Sequence, residues 1–123
     1  MYIFSFEKLE VWQNSRLFIS EIYKIANTFP NCEIYGLTSQ IKRSSTSIAI
    51  NIAEGTSRNT SKDKAHFLNI SYSSAMETLN HMIICNDLNY ISDEDYVICR
   101  EKLSKICNQI NSLKKYYLEK GQL

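Results

Sequence analysis

Two residue pairs in this 123-residue chain carry the side chains from which metal or acid–base chemistry is usually built. Asp63 and His66 stand three residues apart, and Glu77 and His81 four apart, so on a helix each carboxylate faces its imidazole. A di-iron or di-manganese site in a helical core needs inward Glu residues with Glu-x-x-His motifs on two helices, and neither pair supplies one. Isolated pairs of this kind are ordinarily surface contacts. Cys32, Cys85, Cys99 and Cys107 are separated by 53, 14 and 8 residues, which is not a zinc spacing. No Ser/His/Asp or Cys/His nucleophile arrangement and no glycine-rich phosphate loop is evident. The expectation is a protein that is not an enzyme, with no catalytic residue, metal or cofactor.

Recognition is better served. On a helix, Gln40, Arg43, Ser47, Asn51 and Glu54 fall within an arc of about 80°, its centre roughly 115° from that of the neighbouring Ile/Leu stripe. The row flanks the core, where a second protein surface could meet the helix. Amides and an Arg–Glu couple suit directional hydrogen bonds, whereas plain exposed helix faces favour Lys/Glu pairs. Asn51 and the run Ser44–Ser47 are modest helix formers, so propensity does not explain them. Small hydroxyl residues permit close helix approach. Tyr72 and Glu77 are assigned to the same interface or polar network. A second set, Lys42, Arg43, Arg58, Lys62 and Lys64, gathers around this segment and its exit and is the candidate phosphate-binding set. Lys114 and Lys115 are read as a solvated helix end that complements the dipole.

These side chains need long helices to position them. One proline and three glycines leave room for such helices. Tyr96, Cys99, Leu103, Ile106, Ile110, Leu113 and Tyr117 alternate spacings of three and four, the seam of a helix packed on other helices. Ser92 with Asp95 caps its start, and Gly121 ends it. Trp12, Ser15, Ile19, Ile22, Ala26 and Phe29 repeat the pattern up to Pro30. Ala65, Leu68, Tyr72, Ala75, Leu79 and Met82, widened by Met76 and Ile83, continue it behind a Thr60/Ser61 cap. Ile34, Leu37, Ile41, Ile48 and Ile52 form the stripe of the second segment, with Gly55 as a left-handed stop. Helices are expected at about 7–29, 32–54, 61–88 and 93–120 in one domain spanning 1–123, joined at about Pro30–Cys32, Gly55–Asn59 and Asn89–Ile91. Connections that short return each helix antiparallel to its predecessor. The fold class is all-α, an up-down-up-down left-handed four-helix bundle.

Composition bounds the rest. The hydrophobic fraction of 44% is ordinary for a globular protein. Fourteen Lys plus Arg against thirteen Asp plus Glu, a net charge of +1, exclude a chain whose whole surface is positive. An anion-binding face has to come from local clustering or assembly. The cysteines read as reduced packing residues of a cytosolic protein. The start of the chain has no signal-peptide pattern, and no apolar run approaches the roughly 20 residues of a membrane span, so a cytoplasmic protein is expected.

Gly36-Leu-Thr-Ser-Gln-Ile-Lys-Arg43 and Ser47-Ile-Ala-Ile-Asn-Ile-Ala-Glu-Gly55 resemble the signature of the four-helix-bundle proteins encoded in 23S rRNA intervening sequences. The likeness extends through Phe6–Trp12, Phe29-Pro30, Phe67-Leu68, Ser73–Glu77 and Leu88–Ser92, nearly the whole chain. It departs at Ser73 and Asn89, where the family often has Gly, at Lys42, usually Arg, and at Leu79, often acidic. The resemblance implies a homo-oligomer, a pentamer in the members examined, and association with RNA or other nucleic acid. Related accessory proteins of diversity-generating retroelements form similar pentamers that work with a reverse transcriptase and nucleic acid. The alternative expectation is an assembly or adaptor protein that meets a protein partner through the polar edge of the second helix.

Overall fold

A computed structural model describes residues 1–121. Among them are four α-helices and no strand: α1 (Glu10–Ala26), α2 (Leu37–Ser57), α3 (Ser61–Asp87) and α4 (Asp93–Lys120). Two 3-10 turns, Ser5–Lys8 and Asn31–Glu33, precede α1 and α2. The starts of α3 and α4 follow local chemistry. Thr60 Oγ1 accepts the Asp63 N–H and Ser92 Oγ the Asp95 N–H, both at 3.1 Å, so each cap satisfies a first-turn donor that the helix itself cannot. Asp93, Glu94 and Asp95 further favour the positive end of α4. Between α3 and α4 the chain turns at Asn89, whose φ of 63° is left-handed, a conformation that glycine adopts freely and Asn tolerates.

The second helix departs from expectation at both ends. It begins at Leu37, not near residue 32, because Asn31–Glu33 closes a separate 3-10 turn. The connection after α1 is correspondingly longer than the Pro30–Cys32 link expected, and Ile34 is exposed in it, not on an apolar face. Nor is Gly55 a left-handed stop: it is helical, and α2 runs on to Ser57. Its function is close approach, since a Cβ there would stand 3.1 Å from Phe67 Cβ and 3.2 Å from the Lys64 carbonyl oxygen.

One apolar core joins all four helices. On α4 it takes Cys99, Leu103, Ile106 and Ile110, as the periodicity predicts. On α1 the buried row is Val11, Ser15, Phe18, Ile22 and Ala26, so Val11 and Phe18 replace Trp12 and Ile19, which are half-buried. On α3 the expected widening by Met76 and Ile83 is absent, since both are exposed; Ser71, Thr78 and His81 are buried instead. α2 and α3 run in opposite directions, because Ser44, Ser47 and Ile48 meet Thr78, Ser74 and Ser71 in turn. Asn14 with Gln109 and Glu21 with Lys102 give the same sense to α1 and α4. Tyr90 OH donates to Glu33 Oε2 at 3.0 Å and its ring lies 5.6 Å from that of Phe29, tying the α1–α2 connection to the α3–α4 turn.

All four cysteines are free; Cys85, Cys99 and Cys107 are buried and Cys32 is exposed. Burial pushes the Cys85 and Cys99 thiols up to about 11 from an ordinary 9.0, because a thiolate loses its hydration there. A raised folded-state value means that the protonated thiol stabilises the fold. That contribution is fully present below about pH 9 and is lost as pH rises towards 11. Iodoacetamide at pH 8 is therefore expected to label Cys32 rapidly in the folded chain and all four thiols in urea. Rapid labelling of a second cysteine without denaturant contradicts this burial.

Candidate functional site

The α2–α3 seam is lined by small hydroxyl residues. Ser44, Ser71 and Thr78 are fully buried, and their short side chains let the two backbones approach while Ile41, Ile48 and Ile52 fill the core beside them; Ser45, also buried, bonds the Lys42 carbonyl within α2. Every hydroxyl is satisfied, as burial requires. Ser71 Oγ donates to the Ile48 carbonyl at 2.8 Å. Thr78 Oγ1 lies 2.9 Å from Ser44 Oγ and 2.8 Å from the Ser74 carbonyl oxygen. The close approach inferred for the Ser/Thr run is thus used inside the chain.

A polar edge runs along the outside of this seam. The Ser47 and Ser74 hydroxyls share a 2.8 Å hydrogen bond, and Asn51 Nδ2 donates to the Ser47 carbonyl at 2.8 Å and to Ser47 Oγ at 3.0 Å. About one turn from Ser47 towards the start of α2, Arg43 pairs with Glu77. Glu77 also meets His81 Nε2 at 3.3 Å; His81 is buried, and its Nδ1 has no hydrogen-bond partner among the described residues. At the other end Glu54 meets Arg58 at 3.4 Å. The structure therefore joins Arg43, Ser47, Asn51, Glu54 and Glu77 along one edge, with Gln40 exposed at its beginning. Tyr72 stands apart: it lies on the α4 side of α3, near Leu79, Arg100 and Leu103. Ser74 belongs to the edge although the sequence reading passed over it, and His81, read there with Glu77 as an isolated surface pair, is buried beside it. Their spacing on α3 opposite Ser47 and Arg43 was the available signal, and it becomes legible only once α2 and α3 are known to be antiparallel.

The basic set does not form one patch. Lys42 Nζ donates to Asn27 Oδ1 at 2.7 Å and lies 5.1 Å from the Tyr23 ring, on the α1 side of α2, whereas Arg43 faces α3. Arg43 and Arg58 are fifteen residues apart, roughly 22 Å along a helix. Arg58, Lys62 and Lys64 do share one end of the molecule. Arg58 sits over the Phe67 ring at 4.3 Å, and Lys64 over Tyr117 at 4.9 Å while donating to the Thr56 carbonyl at 2.8 Å. Elsewhere, α1 and α4 pack less closely than the other neighbouring helices, and a groove of about 410 Å³ opens there beside Leu17, Phe18 and Ile106.

His66 is exposed and meets the Phe67 ring edge-on. No group of three or more His, Cys, Asp or Glu side chains among the described residues converges to hold a metal ion. No helix among them is long and apolar enough to cross a membrane.

Comparison with known proteins follows the same lines. Residues 7–112 match the family model described as 23S rRNA-intervening sequence protein. A solved structure of a protein with unknown function from the S23 ribosomal protein family of Bacteroides thetaiotaomicron is 27% identical, with a TM-score of 0.79, covering 85% of this chain and 95% of its own. No curated protein matches.

Proposed function

The chain belongs to the 23S rRNA-intervening sequence protein family, and from that premise we propose that it is a non-catalytic, cytoplasmic homo-oligomer that associates with RNA or another nucleic acid. The helices are read as a single-domain, up-down-up-down left-handed bundle, a reading supported by the opposed α2–α3 and α1–α4 pairings. Five copies is the assembly that the family resemblance suggests. The observation that carries nucleic-acid association is the grouping of Arg58, Lys62 and Lys64 where α2 gives way to α3. Repeated around a ring, such a group makes a field far stronger than the net charge of one chain; Lys42 and Arg43 lie towards the other end of α2 and form no part of it. The purified protein is expected to retain rRNA fragments or single-stranded oligonucleotides at low ionic strength and to release them as salt rises. No retention at low salt removes the reading.

A second reading, contact with a protein partner or a neighbouring copy through the α2 edge, is favoured by one observation. The Arg43 and Glu77 side chains remain 63% and 40% exposed although paired, and Ile50, about two turns along the same face of α2, is 51% exposed. Ion pairs this exposed stabilise a fold by less than about 1 kcal/mol. Arg43→Ala or Glu54→Ala should therefore leave the chain folded but shift its mass towards monomer in light scattering. Wild-type mass in both variants removes the α2 edge as an interface.

A further inference from the structure

The charge of this chain is polarised along its length. At one pole α2 ends, α3 begins and α4 ends: Lys64 of α3 lies over Tyr117 of α4 and bonds Thr56 of α2, and a side chain at Gly121 would overlap Ser61. This pole, where α1 also begins, gathers Arg58, Lys62, Lys64, Lys114, Lys115 and Lys120 with Lys8 and Arg16, against Glu7, Glu10, Glu54, Asp63 and Glu119. The opposite pole, built from the α1–α2 and α3–α4 connections, carries Glu21, Glu33, Asp87, Asp93, Glu94 and Asp95 against Lys24, Lys42, Arg43 and Arg100. The whole-chain charge of +1 hides this separation.

The basic pole is also aromatic. Besides the Arg58–Phe67 and Lys64–Tyr117 pairs, Lys120 lies 5.6 Å from the Tyr116 ring. Tyr116 is 54% exposed, and its ring stands beside that of Tyr117 at 5.7 Å. Cations set among rings at one end of the molecule fit a polyanion whose bases are unstacked, because phosphates take the charges while base faces take the rings. A duplex offers only phosphates to such a surface, since its bases are stacked inside.

We propose that this pole is the surface that binds single-stranded nucleic acid, Lys62, Lys115 and Lys120 holding phosphates and Tyr116 stacking on a base. The proposal rests on the nucleic-acid reading above and places the contact at the helix ends, away from the Arg43 flank of α2.

The test is fluorescence anisotropy with a labelled 20-nucleotide single-stranded RNA and its duplex, at 50 and 200 mM KCl. Lys62→Glu/Lys115→Glu is expected to weaken single-strand binding by about tenfold or more at the lower salt and to reduce the salt slope by roughly 1.4, about 0.7 for each lost phosphate contact. Tyr116→Ala should weaken the single strand more than the duplex. Lys24→Glu/Arg100→Glu makes the same change in net charge at the other pole and should bind like wild type. Both pole lysines are exposed, so the fold is expected to survive; should circular dichroism show otherwise, Lys62→Gln/Lys115→Gln takes their place. Undiminished binding by the pole variants overturns the proposal and leaves the broader reading standing. Competition by poly-glutamate as effective as by unlabelled RNA overturns it in favour of an acidic protein partner. No binding by the wild type removes both.

Discussion

Phe18→Ala is expected to lower the unfolding free energy by about 3–5 kcal/mol, and Ile19→Ala by no more than about 1–2 kcal/mol. The two residues are neighbours of similar character, and the spacing of apolar residues along α1 fits either. Trp12, Ser15, Ile19, Ile22 and Ala26 are spaced by threes and fours, and so are Val11, Ser15, Phe18, Ile22 and Ala26. In the folded chain Phe18 is 1% exposed and lies in the core, whereas Ile19 is half-buried. Truncating Phe18 removes a large apolar side chain and leaves a cavity that helices held on both sides cannot close. A domain of this size has a total stability of only about 5–15 kcal/mol, so the loss is easily read from the urea midpoint at unchanged slope. Equal costs at the two positions would mean that α1 is rotated from the orientation described here.

Ser71→Leu is the second large effect. Ser71 has no exposed surface, and its hydroxyl crosses the seam to the Ile48 carbonyl. Leucine adds three carbons where the α2 and α3 backbones are closest and abolishes that hydrogen bond. Overpacking of this kind costs about 1–3 kcal/mol and the lost buried hydrogen bond about 1 kcal/mol more. The melting temperature should fall by on the order of 10 °C. Ser71→Ala, which loses only the hydrogen bond, should cost about 1 kcal/mol. Ser73→Leu, two residues on but exposed, should stay within about 0.5 kcal/mol of wild type. If Ser71→Leu is as mild as Ser73→Leu, the seam is looser than its burial indicates.

The same seam shows why the candidate site was only partly legible. The row Gln40, Arg43, Ser47, Asn51 and Glu54 follows from helical geometry alone, and the folded chain does set most of it on one edge with Glu77. What periodicity does not give is the partner of each residue. Ser47 meets Ser74, and Arg43 meets Glu77, so bonds that could have faced another molecule are in part made within the chain. Tyr72 suits such an edge by its amphipathic ring alone, which says nothing of the face it takes on α3. Ser71 and Thr78 are the buried positions towards α2, and Tyr72 lies on the far side.

The sequence by itself determined four helices, the caps at Thr60 and Ser92, the seam of α4 and the short α3–α4 connection that begins at Asn89. Each depends on residues within a few positions of one another, through hydrogen bonds to first-turn amides, the backbone freedom of single residues and a 3.6-residue period. Only the tertiary structure decided which of two adjacent rows on α1 is buried, that Gly55 serves a close contact instead of a helix end, and that the charges separate into two poles. Those outcomes depend on side-chain volumes and on residues far apart in the chain. Rotating a helix by one position exchanges a half-buried residue for a buried one without disturbing any local signal. A hydroxyl or a glycine shows its use only when the helix that packs against it is in place.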